Sequence, residues 1–136
     1  MKIGEAARRS GVEASAIRFY ESVGVLPEPA RTDAGYREYS NNDVELLSFV
    51  RRLRSLELPL DDVGEIVGLR IRGEAPCQAV RKAIEREVTA IEARMEDLRR
   101  ISGDLARLQE SAAELVDEWP RSCVCHVIEQ TISVPV

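Results

Sequence analysis

Over much of the chain, apolar residues recur at steps of three and four, the spacing that predicts helices. The longest such run spans Pro76 to Trp119. It carries Val80, Ile84, Val88, Ile91, Met95, Leu98, Leu105, Leu108, Ala112 and Leu115 as a heptad-like seam that only Ser102 interrupts. Its other faces are charged, with Arg81, Lys82, Glu85, Glu92, Arg94, Glu96 and Arg99 among them. At about 1.5 Å per residue, a helix of roughly forty residues is on the order of 60 Å long. A small domain cannot wrap such a rod, so the pattern predicts a homodimer in which a second copy covers the seam.

The stretch before the rod has shorter periods. Lys2 to Ser10 places Ile3, Ala6 and Ala7 on one face and meets Gly11, a residue suited to ending a helix. A second short helix runs from Ser15 to Val23, with Ile17 and Phe19 expected to pack inward and Ser15, Arg18 and Tyr20 on its polar face. Two short helices across a tight turn form a helix-turn-helix pattern, whose second helix is suited to reading a major groove. From these residues alone, DNA reading and an ordinary helical hairpin with solvated charges both stay open.

Asp33-Ala34-Gly35 is a turn signal between two short segments, which predicts a two-stranded wing. Arg31, Tyr36 and Arg37 lie there within reach of phosphates, while Tyr39 reads as a packing residue. Ser40-Asn41-Asn42-Asp43 opens a helix to about Leu56 with a capping-box start. Arg51, Arg52 and Arg54 close that helix, where the helix dipole and a phosphate are equally good reasons for cations. Leu60 to Leu69 makes a fourth helix, and Gly73 sits in the polar loop before the rod. The expected architecture is mostly α: a head at residues 1–72, a hinge at 73–76, a dimerisation helix at 77–119, and a C-terminal loop and tail at 120–136.

Composition changes this picture in three ways. No run of about 18 apolar residues exists, and Met-Lys-Ile-Gly-Glu lacks the apolar core of a signal peptide, so the expectation is a cytoplasmic protein without membrane partners. A net charge of −5 argues against nucleic acid, but it is uneven. Residues 1–72 hold 11 Lys/Arg against 12 Asp/Glu, and cations cluster at Arg8–Arg9 and Arg51–Arg54. With one His and no Gly-rich phosphate loop, an acid–base enzyme is not expected. Three cysteines do not make a disulfide framework in a reducing compartment; Cys77 opens the rod, and Cys123 and Cys125 follow its far end beside His126.

Taken together, Ile3-Gly4-Glu5-Ala6-Ala7, Gly11-Val12, Ala16-Ile17-Arg18-Phe19-Tyr20-Glu21, Gly24-Val25-Leu26-Pro27, Gly35-Tyr36-Arg37-Glu38-Tyr39 and Leu60-Asp61-Asp62-Val63 resemble the MerR family of bacterial transcription regulators. The resemblance covers almost the whole chain. It implies a winged helix-turn-helix with a second helix pair, then an antiparallel coiled-coil dimer. It also implies a palindromic double-stranded promoter that the effector-bound dimer bends and untwists so that RNA polymerase can use it. By position, Arg18 and Tyr20 on the reading helix, Arg31, Tyr36 and Arg37 in the wing, and Arg54 on the third helix match residues that touch DNA in the family. Most such contacts position the protein on phosphates, leaving specificity to DNA deformability. The chain departs at Glu57-Leu58-Pro59, where family members often carry a glycine and an aromatic, then a capping Ser or Thr. Each of the lost glycine and cap is worth about 1 kcal/mol.

The same resemblance extends to the metal-sensing branch. A cysteine at the position of Cys77 goes there with divalent soft ions such as zinc, cadmium, lead or mercury, and Cys125 in Cys-His-Val-Ile-Glu129 matches the cysteine that closes the metal loop. In the implied antiparallel pair, Cys77 of one chain approaches Cys123 and Cys125 of the other. A three-thiolate set suits lead or mercury, and adding His126 gives an S₃N set suited to zinc or cadmium. Family members usually carry a further cysteine near Val116 or Asp117, which this chain lacks. A thiol redox switch among the same cysteines is the competing reading.

Overall fold

The computed structural model describes residues 1–114 and 124–131. The elements are α1 (Ile3–Ser10), α2 (Ala14–Ser22), β1 (Ala30–Arg31), β2 (Arg37–Glu38), α3 (Asn41–Ser55), α4 (Leu60–Ile71), α5 (Cys77–Glu114) and α6 (Val124–Thr131). The chain divides into two compact units, Met1–Val88 and Thr89–Val136. The expected long helix is present over Cys77–Glu114, while residues 115–119 of its expected span lie outside the described residues.

In the first unit, α1, α2, α3 and α4 close over an aliphatic core whose most buried members include Ala6, Ile17, Val50, Leu58, Val63 and Ile66. The turn from α1 to α2 depends on Gly11, which adopts φ 75° while its N–H donates to the Ala7 carbonyl at 2.9 Å. The Arg51 side chain of α3 lies over Gly11, and a φ of 75° would strain a side chain at that position. Arg51 therefore has a packing role that its place in a basic cluster did not suggest. The Ser40 start of α3 forms as expected: Asp43 N–H donates to Ser40 Oγ at 3.2 Å, and Ser40 N–H donates to Asp43 Oδ2 at 2.8 Å.

One packing expectation is overturned. Ile17 is buried, but Phe19 is 49% exposed, and Tyr20 packs against the core in its place. Helical geometry gives the reason: the residue three positions from Ile17 shares its face, whereas the one two positions away does not.

The turn into α4 bears out the departure seen at Glu57-Leu58-Pro59. Among the described residues Glu57 is the non-glycine residue with positive φ, at 62°, and Pro59 stands at the N-cap of α4 without a side-chain cap. A left-handed non-glycine residue costs about 1–2 kcal/mol, partly offset by the greater entropy glycine loses on folding. Glu57→Gly should therefore stabilise the chain by about 0.5–1 kcal/mol, read as a melting temperature raised by a few degrees. An unchanged or lowered melting temperature would show that the turn is not strained.

The first unit continues through Gly73 into the rod. Ala79 and Val80 pack against the core, Ala83 is fully buried, and Arg86 Nη2 bonds Asp62 Oδ1 of α4 at 2.6 Å. The opening turns of α5 are thus built into the head, beyond the hinge at 73–76. In the second unit, the later part of α5 carries i,i+3 ion pairs such as Arg99–Glu96 at 3.5 Å. Where a loop was expected, residues 124–131 form α6. Val124, Val127 and Ile128 recur at helical spacing, which accounts for it.

Candidate nucleic-acid interface and thiol sites

The wing is an antiparallel pair in which Ala30 faces Glu38 and Arg31 faces Arg37. Its turn is closed by Thr32 N–H on the Tyr36 carbonyl and Gly35 N–H on the Thr32 carbonyl, each at 2.8 Å. Arg31 Nη1 donates to the Gly35 carbonyl at 2.8 Å, so this arginine also stiffens the turn. Tyr36 projects from it, 68% exposed.

Between the wing, the start of α1 and the outer face of α2 lies an open trough of about 350 Å³. Lys2, Arg18, Arg31 and Arg37 line it together with Tyr36, and no carboxylate does. Four cations facing one open channel attract a phosphate backbone whatever the net charge of the chain. The expected contacts Arg18, Arg31, Tyr36 and Arg37 are therefore brought together. Arg18 makes no hydrogen bond among the described residues and is fully available. Ser15 is exposed on α2 outside the trough lining, and Tyr20 is half-buried against the core. Arg54 sits apart, with Nη1 bonded to the Leu58 carbonyl at the turn into α4.

Two residues of this surface were not singled out from the sequence. Lys2 reaches the trough because the N-terminus pairs with the end of the wing: Tyr39 N–H donates to the Met1 carbonyl at 2.8 Å, and the Met1 amine donates to the Tyr39 carbonyl at 2.7 Å. No local pattern signals a contact across 38 residues. The second is Glu21, whose carboxylate receives Arg37 Nε at 3.1 Å and the Tyr39 hydroxyl at 2.6 Å. Burial first, and then the hydrogen bond to Glu21, hold the Tyr39 hydroxyl far above the ordinary tyrosine pKa, so it remains a donor.

Cys77 is exposed at the first position of α5, directly after Pro76. Proline suits that boundary. Cys125 is exposed in the first turn of α6, and His126 beside it is half-buried. Adjacent helical residues point about 100° apart, so α6 does not set Cys125 and His126 on one face. Cys123 lies outside the described residues. Among the described residues, no three His, Cys, Asp or Glu side chains of one chain are grouped to hold a metal ion. The donors that are present, exposed thiols, fit soft divalent ions.

Residues 1–68 match the family described as MerR HTH family regulatory protein, and residues 44–116 match the one described as MerR, DNA binding. The chain is 36% identical over 128 residues to the mercuric resistance operon regulatory protein of Bacillus cereus, covering 94% of each. It is 29% identical over 133 residues to the transcriptional regulator ZntR of Escherichia coli, covering 97% of this chain and 94% of that one. Among solved structures, the lead(II) complex of the transcription regulator PbrR691 from Ralstonia metallidurans CH34 superposes with a TM-score of 0.81 at 29% identity, covering 94% of this chain and 98% of that one.

Proposed function

The chain belongs to the MerR family of helix-turn-helix regulators, and on that premise we propose that it is a metal-responsive transcriptional activator. It binds a palindromic promoter as a homodimer and changes the set of its DNA-reading heads when a divalent soft metal binds. It is a DNA-binding regulator and not an enzyme, as its relatives are. No helix among the described residues is long and apolar enough to cross a membrane, and the cytoplasm, where promoter DNA and RNA polymerase are, is the proposed location.

The observation that carries this reading is the stripe along α5. Ile84, Val88, Ile91, Met95, Leu98 and Leu105 are all large, apolar and between 42% and 60% exposed. A sustained apolar stripe at heptad spacing calls for a second helix, and an antiparallel copy brings Cys77 of one protomer towards the cysteines of the other. Cys77, Cys123 and Cys125, with His126 as a further donor, are the proposed ligands. Zinc, cadmium, lead and mercury all accept such donors; when bound, the ion supplies a crosslink between the protomers. What the chain itself contributes is stiffness. Ala83 in the core and the Arg86–Asp62 pair tie the start of α5 to α4, so a change at Cys77 is passed to the head as a rigid-body shift.

On DNA, Arg18, Arg31, Tyr36 and Arg37 hold phosphates in the trough, and Ser15 and Tyr20 lie on the reading helix. Arg54 lies on α3, where a phosphate contact would draw on the nitrogens not held by Leu58. Arg18→Ala should lose promoter retention in a gel shift, and an unchanged shift would contradict the assigned reading helix. The metal reading is tested by titrating reduced protein with zinc, cadmium, lead and mercury, with elemental analysis of the washed protein. Tight binding of two ions per dimer is expected. If no ion binds stoichiometrically and thiol oxidation alone switches promoter output, the redox reading takes its place.

A further inference from the structure

Glu21 presents a problem of electrostatics. Its carboxylate lies on the DNA-reading helix directly behind a trough lined by Lys2, Arg18, Arg31 and Arg37. An anion so placed repels the phosphates that those cations attract. The side chain is also only 7% exposed, and a carboxylate that far from water costs several kcal/mol unless it is well paired. Here it is paired twice, and both partners come from the far side of the wing turn: Arg37 Nε at 3.1 Å and the Tyr39 hydroxyl at 2.6 Å. Each oxygen takes one donor, so the carboxylate cannot rotate without losing a bond.

The two bonds have a directional consequence. A guanidinium is a rigid planar fork with five N–H donors, and occupying its Nε edge fixes the plane of the whole group. Arg37 is partly exposed and lines the trough, so with Nε held from behind its outer N–H groups are left for an oxygen in front. Tyr39 is buried and tied by its backbone to Met1, which anchors the other half of the clamp.

We propose that Glu21 is a positioning residue for DNA binding, which locks the wing to the reading helix and aims the Arg37 guanidinium at a backbone phosphate. This rests on the DNA-binding reading above and assigns to it a residue that never touches DNA. The sign of the mutational effect separates this role from simple charge. If Glu21 only adds repulsion, Glu21→Gln tightens DNA binding. If it positions Arg37, Glu21→Gln weakens binding, because a neutral amide that can still reach both partners replaces the charge-assisted hold on Arg37 with a weaker neutral hydrogen bond.

The test uses the full chain and a fluorescently labelled duplex of mixed sequence, with binding followed by anisotropy across a salt series. Glu21→Gln should bind about tenfold more weakly, the effect of losing one charge-assisted hydrogen bond. The slope of log affinity against log salt should fall by about 0.9, as for one phosphate contact fewer. In an Arg37→Ala background, Glu21→Gln should add almost nothing, since the two act as a unit. Arg37→Lys, which leaves the carboxylate paired, should also weaken binding, because an ammonium lacks the planar fork whose one edge is held by Glu21 while the other is aimed at a phosphate. Unchanged or tighter binding by Glu21→Gln, additive losses in the Arg37→Ala background, or wild-type binding by Arg37→Lys would each overturn the proposal. Wild-type protein that does not bind the duplex at all would instead overturn the DNA-binding reading on which it rests.

Discussion

Val88→Glu combined with Leu98→Glu should leave a folded monomer that no longer retains promoter DNA. The two side chains are 49% and 56% exposed, so neither substitution disturbs the core of the head or the helical backbone. Burying each native side chain in a dimer seam contributes about 1.5–3 kcal/mol, and two protomers double the effect. Glutamate forfeits that contribution and adds the several kcal/mol of desolvating an unpaired carboxylate. A dimer of micromolar to nanomolar strength has only about 8–12 kcal/mol in total, so it should dissociate. Sedimentation equilibrium reads the mass, and far-ultraviolet circular dichroism confirms that helix content is kept. A double variant that stays dimeric would place the interface elsewhere and remove the basis for a metal site shared between chains.

The second large effect is expected at Cys77. Cys77→Ser replaces a soft sulfur ligand with a hydroxyl that binds soft ions poorly. Zinc held by a full structural ligand set is worth about 10–16 kcal/mol, so one thiolate in three or four accounts for on the order of a thousandfold in affinity. Stoichiometric metal should disappear from the elemental analysis, along with the ultraviolet thiolate-to-metal absorption of any mercury or cadmium complex. Binding of metal-free protein to DNA should stay at the wild-type level, because Cys77 does not line the trough. Cys77→Ser with undiminished metal would confine the ligands to the cysteines at 123 and 125 and would break the proposed link between metal and head geometry.

Both predictions use features that local sequence already announces. The α5 stripe is legible because heptad spacing is a property of neighbours along one helix, and the Ser40–Asp43 capping box because its partners are three residues apart. The wing is legible from Asp33-Ala34-Gly35, whose turn closes within five residues. What local reading misjudged also has a local cause. Phe19 and Tyr20 exchange places because assigning inward faces by hydrophobicity prefers Phe over Tyr, while helix phase prefers the residue three positions from Ile17. The cysteine spacing of the tail suggests a loop, yet Val124, Val127 and Ile128 are spaced for α6.

By itself, then, the sequence determined the order of the helices up to the rod, the wing turn, the rod with its uncovered seam, and the family to which the chain belongs. Each of these follows from periodicity, capping or a motif within a few residues. Tertiary structure alone decided what those elements do to one another. It set Arg51 across Gly11, carried the head's core into the first turns of α5, brought Lys2 to the wing, and placed Glu21 behind Arg37 and Tyr39. These contacts join residues from 16 to 40 positions apart. Such pairings arise from how helices pack against one another, and helix packing leaves no period in the chain to be read.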